Sequence, residues 1–164
     1  MLIMDYNNYN RGPRTGNQPQ GGGNRSGGSF NNVNKQTAEA KFSELNFQKE
    51  WIIKGANPAL VEYAESAGKY MANNGLTNSK IRSIYCEIKR IQMGMFEKEK
   101  SSFYLLKPKV AYALGRDDKN EGLKLFKKVF DVASEYVDDQ TSYQNFCNFI
   151  EAILAYHKAY GGKD

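Results

Sequence analysis

The sequence predicts an all-α protein: a compact bundle of five or six helices behind a disordered N-terminal tail. Three observations carry that expectation. Apolar residues recur at i, i+3, i+4 and i+7 through most of the chain after residue 36. Helix punctuation falls between those stretches, with Asn57-Pro58 as a start and Gly75, Gly115 and Gly161-Gly162 as stops. No strand-period alternation and no internal repeat of about 20–50 residues is visible.

Residues 1–36 hold seven Gly and eight Asn, with Arg11, Arg14 and Arg25 spaced among them. Too few apolar groups are present to offset the entropy of ordering, so this stretch reads as a disordered tail and 37–164 as the bundle. A solubilising tail is favoured over a phosphate-brushing arm, because three arginines are sparse for such an arm.

Residues 37–54 read as helical, with Phe42, Leu45, Trp51 and Ile52 to bury and Asn46-Phe47 interrupting the pattern. Asn57 caps the next helix and Pro58 suits its first position. That helix runs to about Ala72 with Leu60, Ala64, Ala67 and Met71 on one stripe. Ala64, Ala67 and Gly68 would admit a neighbouring helix closely.

Thr77 to Met95 is the helix around which the chain is organised. Ile81, Ile84, Tyr85, Ile88, Ile91 and Met95 form its apolar stripe, and Thr77 is the expected cap. Arg82 and Lys89, seven apart, share a flank, and Lys80 and Arg90 border it.

Residues 102–115 form another helical segment, which kinks at Pro108 or starts anew at Lys107. Asp117 or Asp118 caps a helix over about 119–137, striped by Leu123, Phe126, Phe130, Ala133 and Val137. Thr141 caps the last, 142–160, with Phe146, Phe149, Ile150, Ile153 and Tyr160 inward. Cys86 and Cys147 suit small buried apolar positions in a reducing compartment rather than a disulfide. With no apolar run of membrane-spanning length and no signal-peptide core, the expected compartment is the cytoplasm.

The net charge of +5 is unevenly spread: +3 over residues 1–36, −1 over 37–79, +7 over 80–128 and −4 over 129–164. Such asymmetry points to a polyanionic partner and to a second contact through the acidic end. Much of the basic middle is locally balanced. Lys124, Lys127 and Lys128 lie near Asp131 and Glu135, and Lys98 and Lys100 alternate with Glu97 and Glu99. Arg82, Lys89 and Arg90 have only Glu87 nearby, and Lys107, Lys109 and Arg116 have no acid between Lys100 and Asp117. These six are the candidate phosphate contacts. Tyr104 and Tyr112 are capable of stacking on a base, though core packing is the expected role for each.

Catalytic constellations are missing from the pattern. One His and two distant Cys do not make a zinc site of familiar spacing, and no phosphate loop, nucleophile elbow or HExxH occurs. Asp117-Asp118 and Asp138-Asp139 read as a cap and a loop rather than an Mg²⁺ site. His157, on the apolar stripe of the last helix, reads as a packed structural histidine.

Three stretches together resemble one family. Gly75-Leu76-Thr77-Asn78-Ser79-Lys80-Ile81-Arg82 is similar to the GLTxSQIR segment of the small subunit of type III-A CRISPR effector (Csm) complexes. Leu105 to Tyr112, ending in Gly115-Arg116, resembles that family's LLxPKLAYxxGR segment. Phe146 to Asp164 resembles its C-terminal FxxFxEAxxAYHKxYGG signature. The resemblance spans about Ala56 to Asp164 and leaves the tail and the Trp51 region outside. Lys80 stands where the family usually has Gln, adding either a phosphate contact or a solvated charge, and it joins the candidate set.

The resemblance implies a small helical RNA-binding protein with no catalytic activity or cofactor of its own. It implies copies stacked head-to-tail beside the backbone and large subunits, helping to hold the guide-RNA–target-RNA duplex for antiviral and anti-plasmid defence. Two rival readings of the residues stand beside it. One is a helix-turn-helix DNA-binding regulator with Gly75 in the turn, weakened because only Asn78 and Ser79 suit base edges. The other is a metal-dependent nuclease, weakened by the missing carboxylate cluster.

Overall fold

The chain's last helix is 20 residues long, and Gly162, just past its end, lies against the ring of His157 within it. That helix, and the rest of the fold, are seen in a computed structural model that describes residues 35–164. All but the last two residues of the expected tail lie outside the described residues.

Eight helical segments follow in order: α1 (Ala38–Leu45), α2 (Glu50–Ile53), α3 (Pro58–Asn73), α4 (Asn78–Gln92), α5 (Phe96–Tyr104), α6 (Leu106–Gly115), α7 (Glu121–Ser134) and α8 (Gln140–Ala159). Seven of them have eight residues or more and α2 is one short turn, so the expected count of five or six is too low. Among the described residues no strand forms, and one isolated parallel bridge joins Thr77 to Lys163.

The excess comes from two breaks inside segments read as continuous. Asn46 takes a left-handed conformation with φ 52°, which stops α1 and lets the chain restart at α2. The long basic helix ends at Gln92 rather than at Met95, and Glu97 and its neighbours build a helix of their own, α5. Met95 therefore sits in the connection, 62% exposed, instead of on the apolar stripe. Pro108 falls in the first turn of α6, where its missing N–H and fixed φ are tolerated, so the segment restarts rather than kinks.

The core runs along α8, which buries Tyr143, Phe146, Cys147, Phe149, Ile150, Ile153 and His157. Its most extensive partner is α3. Leu60, Ala64, Ala67 and Met71 are all buried there as their spacing requires, and Gly68 lets the backbones meet. A Cβ on Gly68 would lie 2.6 Å from the Ile153 carbonyl oxygen and 2.7 Å from the His157 nitrogen, so no larger residue fits. His157 is fully buried, with Nε2 2.8 Å from the Leu76 carbonyl. Because a carbonyl only accepts, Nε2 carries the hydrogen, and Nδ1 has no partner among the described residues. The imidazole pins the α3–α4 turn to α8, the structural role expected of it.

Caps agree in kind and differ in identity. Asn57 caps α3 by accepting from the Leu60 amide at 3.0 Å, and the same oxygen accepts from the Trp51 indole at 2.9 Å. The cap of α7 is Asn120, not Asp117 or Asp118; its oxygen accepts from the Leu123 amide at 2.8 Å. The cap of α8 is Asp139, not Thr141, in a reciprocal capping box with Ser142. Thr77 precedes α4 as expected, but its hydroxyl meets Ser79 Oγ rather than an amide. The C-terminal segment serves instead: the Asn78 amide donates to the Lys163 carbonyl at 2.8 Å.

Two further side chains depart from expectation. Cys86 is exposed, because it points away from the Ile81–Ile84–Ile88–Ile91 stripe, while Cys147 is buried as expected. Burial pushes the Cys147 thiol up to about 11. Tyr160 lies past the end of α8 and is 39% exposed rather than inward-facing.

Candidate nucleic-acid interface

Local charge counting treats Arg82, Lys89 and Arg90 as weakly neutralised, and the fold corrects this by bringing distant carboxylates to them. Lys89 Nζ lies 2.9 Å from Glu151 of α8, which holds its pKa above the usual lysine range. Arg90 is gripped by Glu87 one turn earlier and by Glu99 of α5, each at 2.9 Å. Lys80 pairs with Asp117 at 2.6 Å. These partners sit on different elements, so the candidate cations of α4 occupy two flanks rather than one. Arg82 and Lys89 face the α8 side, where Arg82 lines a shallow groove with Tyr85, Leu154 and Lys158. Lys80 and Arg90 turn toward α5 and α6.

The remaining candidates belong to α6. Lys107 and Arg116 are exposed and make no ion pair among the described residues. Lys109 reaches Glu87 only at 4.0 Å and its side chain stays 51% exposed. Glu87 is already committed to Arg90, whose hydrogen bonds hold its carboxyl below the ordinary range. Lys107, Lys109 and Arg116 thus keep the weak neutralisation expected of them.

Why α6 exposes so much is written in its composition. Leu105 to Gly115 is apolar on two sides, and only Leu106 and Val110 are fully buried. The alternative stripe, Leu105, Pro108 and Tyr112 at i, i+3 and i+7, is left facing out. Tyr112 is 68% exposed and Tyr104 62%, so the expected core role fails for both. Arg116, one turn beyond Tyr112, places its guanidinium 5.8 Å from the ring centre, within cation–π range.

Between α4 and α6 lies an open groove of about 790 Å³. Ser79 and Ser83, one turn apart on α4, and Ala113 on α6 are too short to fill it. Lys80, Lys109 and Arg116 border it, Leu105, Pro108 and Tyr112 supply apolar wall, and Asp117 is its one carboxylate. The Lys80 ammonium and the Asn120 amide keep Asp117 ionised to lower pH than usual. Asn120 in turn donates to the Gly75 carbonyl at 2.7 Å and to Asp117 at 2.9 Å, so the α7 cap also fixes the groove's rim. The sequence pattern pointed to the three cations but did not place Ser79 and Asp117 beside them, and it missed Ser83. The serine pair at i, i+4 beside an apolar stripe was the available signal.

The residues favouring rival readings are occupied otherwise. Asn78 donates to Asp164 at 2.9 Å, and with Lys163 above it the start of α4 is covered rather than offered to a duplex. Asp117 belongs to the groove rim and Asp139 to the α8 cap. Among the described residues no group of three or more His, Cys, Asp or Glu side chains is placed to hold a metal ion. No helix among them is long and apolar enough to cross a membrane.

Fold and surface define the class as a small all-α protein whose most distinctive surface is a cation-bordered groove between two helices. The chain belongs to the Csm2 type III-A family, whose family model matches residues 55–163. It is thus a small subunit of a type III-A CRISPR Csm complex, the family anticipated from the three motifs. No match was found among curated proteins or solved structures.

Proposed function

We propose that this Csm subunit binds RNA through phosphate contacts and helps to hold the guide-RNA–target-RNA duplex, without cleaving it. The observation that carries this reading is the pair Lys109 and Arg116, at the middle and C-cap of α6, poorly neutralised and beside a groove that Lys80 also borders, while Lys107 is exposed outside that groove. Cations on a helical surface read phosphates irrespective of sequence, while pairing within the duplex supplies specificity. Arg82 serves as a further contact from the α8 flank. Lys89 and Arg90, held by intramolecular carboxylates, are weaker contacts that act mainly in folding.

In this reading the protein is cytoplasmic, uses no cofactor and works beside the backbone and large subunits of the complex. Its acidic C-terminal third packs head-to-tail against a basic surface of the next copy, and unlike surfaces of that kind build open stacks. The free protein is then monomeric or weakly self-associating, which sedimentation at several concentrations tests; a tight closed dimer would contradict it.

The function is tested by purifying the tagged protein from its native cell and sequencing the nucleic acid that accompanies it. Short RNAs sharing a repeat-derived end are expected. Sequence-specific duplex DNA, or hydrolysis of labelled RNA by the pure protein with Mg²⁺, would overturn the reading.

A further inference from the structure

We infer that the α4–α6 groove accepts an unpaired nucleotide, its base stacked on Tyr112 and its phosphates held by Lys109 and Arg116. The inference rests on the RNA-binding reading above and adds a second kind of contact to it.

Phosphate contacts alone need no aromatic ring, no apolar wall and no recess. The α6 surface has all three. Tyr112 is 68% exposed and Leu105 58%, and both face the groove together with Pro108. Left in water, that stripe is unfavourable, and no element of the described chain covers it. A base would cover it, because every base offers a flat π-face to an aromatic side chain whatever its sequence. The guanidinium of Arg116 sits 5.8 Å from the Tyr112 ring centre, so ring and cation form one platform. A nucleotide needs these two features side by side.

Size and charge agree. The groove's volume of about 790 Å³ lies within the roughly 300–1,000 Å³ of small-molecule sites. Its depth comes from Ser79, Ser83 and Ala113. Three cations border it against one carboxylate, and that carboxylate, Asp117, is matched by Lys80 at 2.6 Å. Lys109 and Arg116 therefore set the sign of the field toward an entering phosphate. A paired base lies inside its own stack and cannot reach Tyr112, so the occupant is an unpaired nucleotide rather than part of a duplex.

The test uses the full chain and two RNAs, a single strand of uridines carrying one central 2-aminopurine and the same strand fully paired. Binding to the single strand is expected to quench the 2-aminopurine. Tyr112→Leu should abolish the quench and weaken single-strand binding roughly tenfold, with an unchanged salt slope. Tyr112→Phe should keep both, and neither variant should alter duplex binding. Lys109→Glu with Arg116→Glu should instead flatten the salt slope for both RNAs.

If Tyr112→Leu binds and quenches like the parent while the charge reversal still flattens the slope, the stacking inference falls and the phosphate reading stands. If the parent protein binds neither RNA, both fall. If Tyr112→Leu leaves RNA binding intact but detaches the chain from its complex on copurification, the groove belongs to a protein neighbour and the inference is overturned.

Discussion

The α3–α8 seam and the α4–α6 groove are both helix pairs built on small side chains, yet one is closed and the other open. In the seam, Gly68 has no Cβ to hold the helices apart, and carbonyl and amide groups of α8 close over it. Around it Ala64, Ala67 and Ile153 are completely buried. In the groove, Ser79, Ser83 and Ala113 are just as small, but the helices do not close on them. Longer residues at the rim, Lys80, Lys109, Tyr112 and Arg116, turn outward instead. Small residues make close packing when apolar neighbours flank them and make a recess when charged neighbours do. The seam stabilises the fold, and the groove leaves a surface to be used.

Substitutions that fill the two spaces should separate them most sharply. Gly68→Val is expected to prevent folding, and Gly68→Ala to cost about 3 kcal/mol or more by forcing backbone apart, as chemical denaturation would measure. A stability change under about 1 kcal/mol for Gly68→Ala would mean that the seam is looser than described. Asn57→Ala, at the entrance to the seam, loses the α3 cap and strands the buried Trp51 indole. An expected cost of about 2–3 kcal/mol follows, visible in the same denaturation experiment.

A smaller effect should appear with pH at the N-terminus of α8. Hydrogen bonds from the Ser142 amide and hydroxyl hold the Asp139 carboxyl below its ordinary pKa. A depressed folded-state value contributes stability above the ordinary carboxylate range, and that contribution is lost as pH falls through the folded-state value. The melting temperature should therefore drop on acidification with a slope that Asp139→Asn reduces. An identical slope in the variant would remove Asp139 from the account.

The smallest effect on stability is expected where the groove is filled. Ser83→Tyr should change the unfolding free energy by no more than about 0.5 kcal/mol, since its neighbours leave room. RNA binding should nevertheless weaken. A large loss of stability would show that the groove is tighter than its volume suggests.

The same contrast explains what could be read from the chain beforehand. The seam was legible because its signals are local: Asn57-Pro58 sets the start, and Leu60, Ala64, Ala67 and Met71 repeat with helical spacing. The choice of cap was harder where two candidates lie within three residues, as with Asp117 and Asn120 or Asp139 and Thr141. There the decision belongs to tertiary contacts, such as the hydrogen bond from Asn120 to the Gly75 carbonyl. Ion pairs over long separations escaped entirely. Lys89 and Glu151 are 62 residues apart, and a count of nearby acids does not see Glu151. On α6 two apolar stripes compete, and only packing decides that Leu106 and Val110 go in while Leu105 and Tyr112 stay out.

The central claim is that the weakly neutralised Lys109 and Arg116 meet RNA more strongly than the paired Lys89 and Arg90 of α4. Its most direct measurement is the dependence of RNA affinity on salt for two double variants, Lys109→Glu with Arg116→Glu and Lys89→Glu with Arg90→Glu. Each lost phosphate contact should reduce the slope of log affinity against log salt by about 0.7–0.9. The account predicts that the α6 variant loses about twice that amount while remaining folded. The α4 variant should lose far less slope and more stability. An unchanged slope in the α6 variant, or the larger loss in the α4 variant, would contradict it.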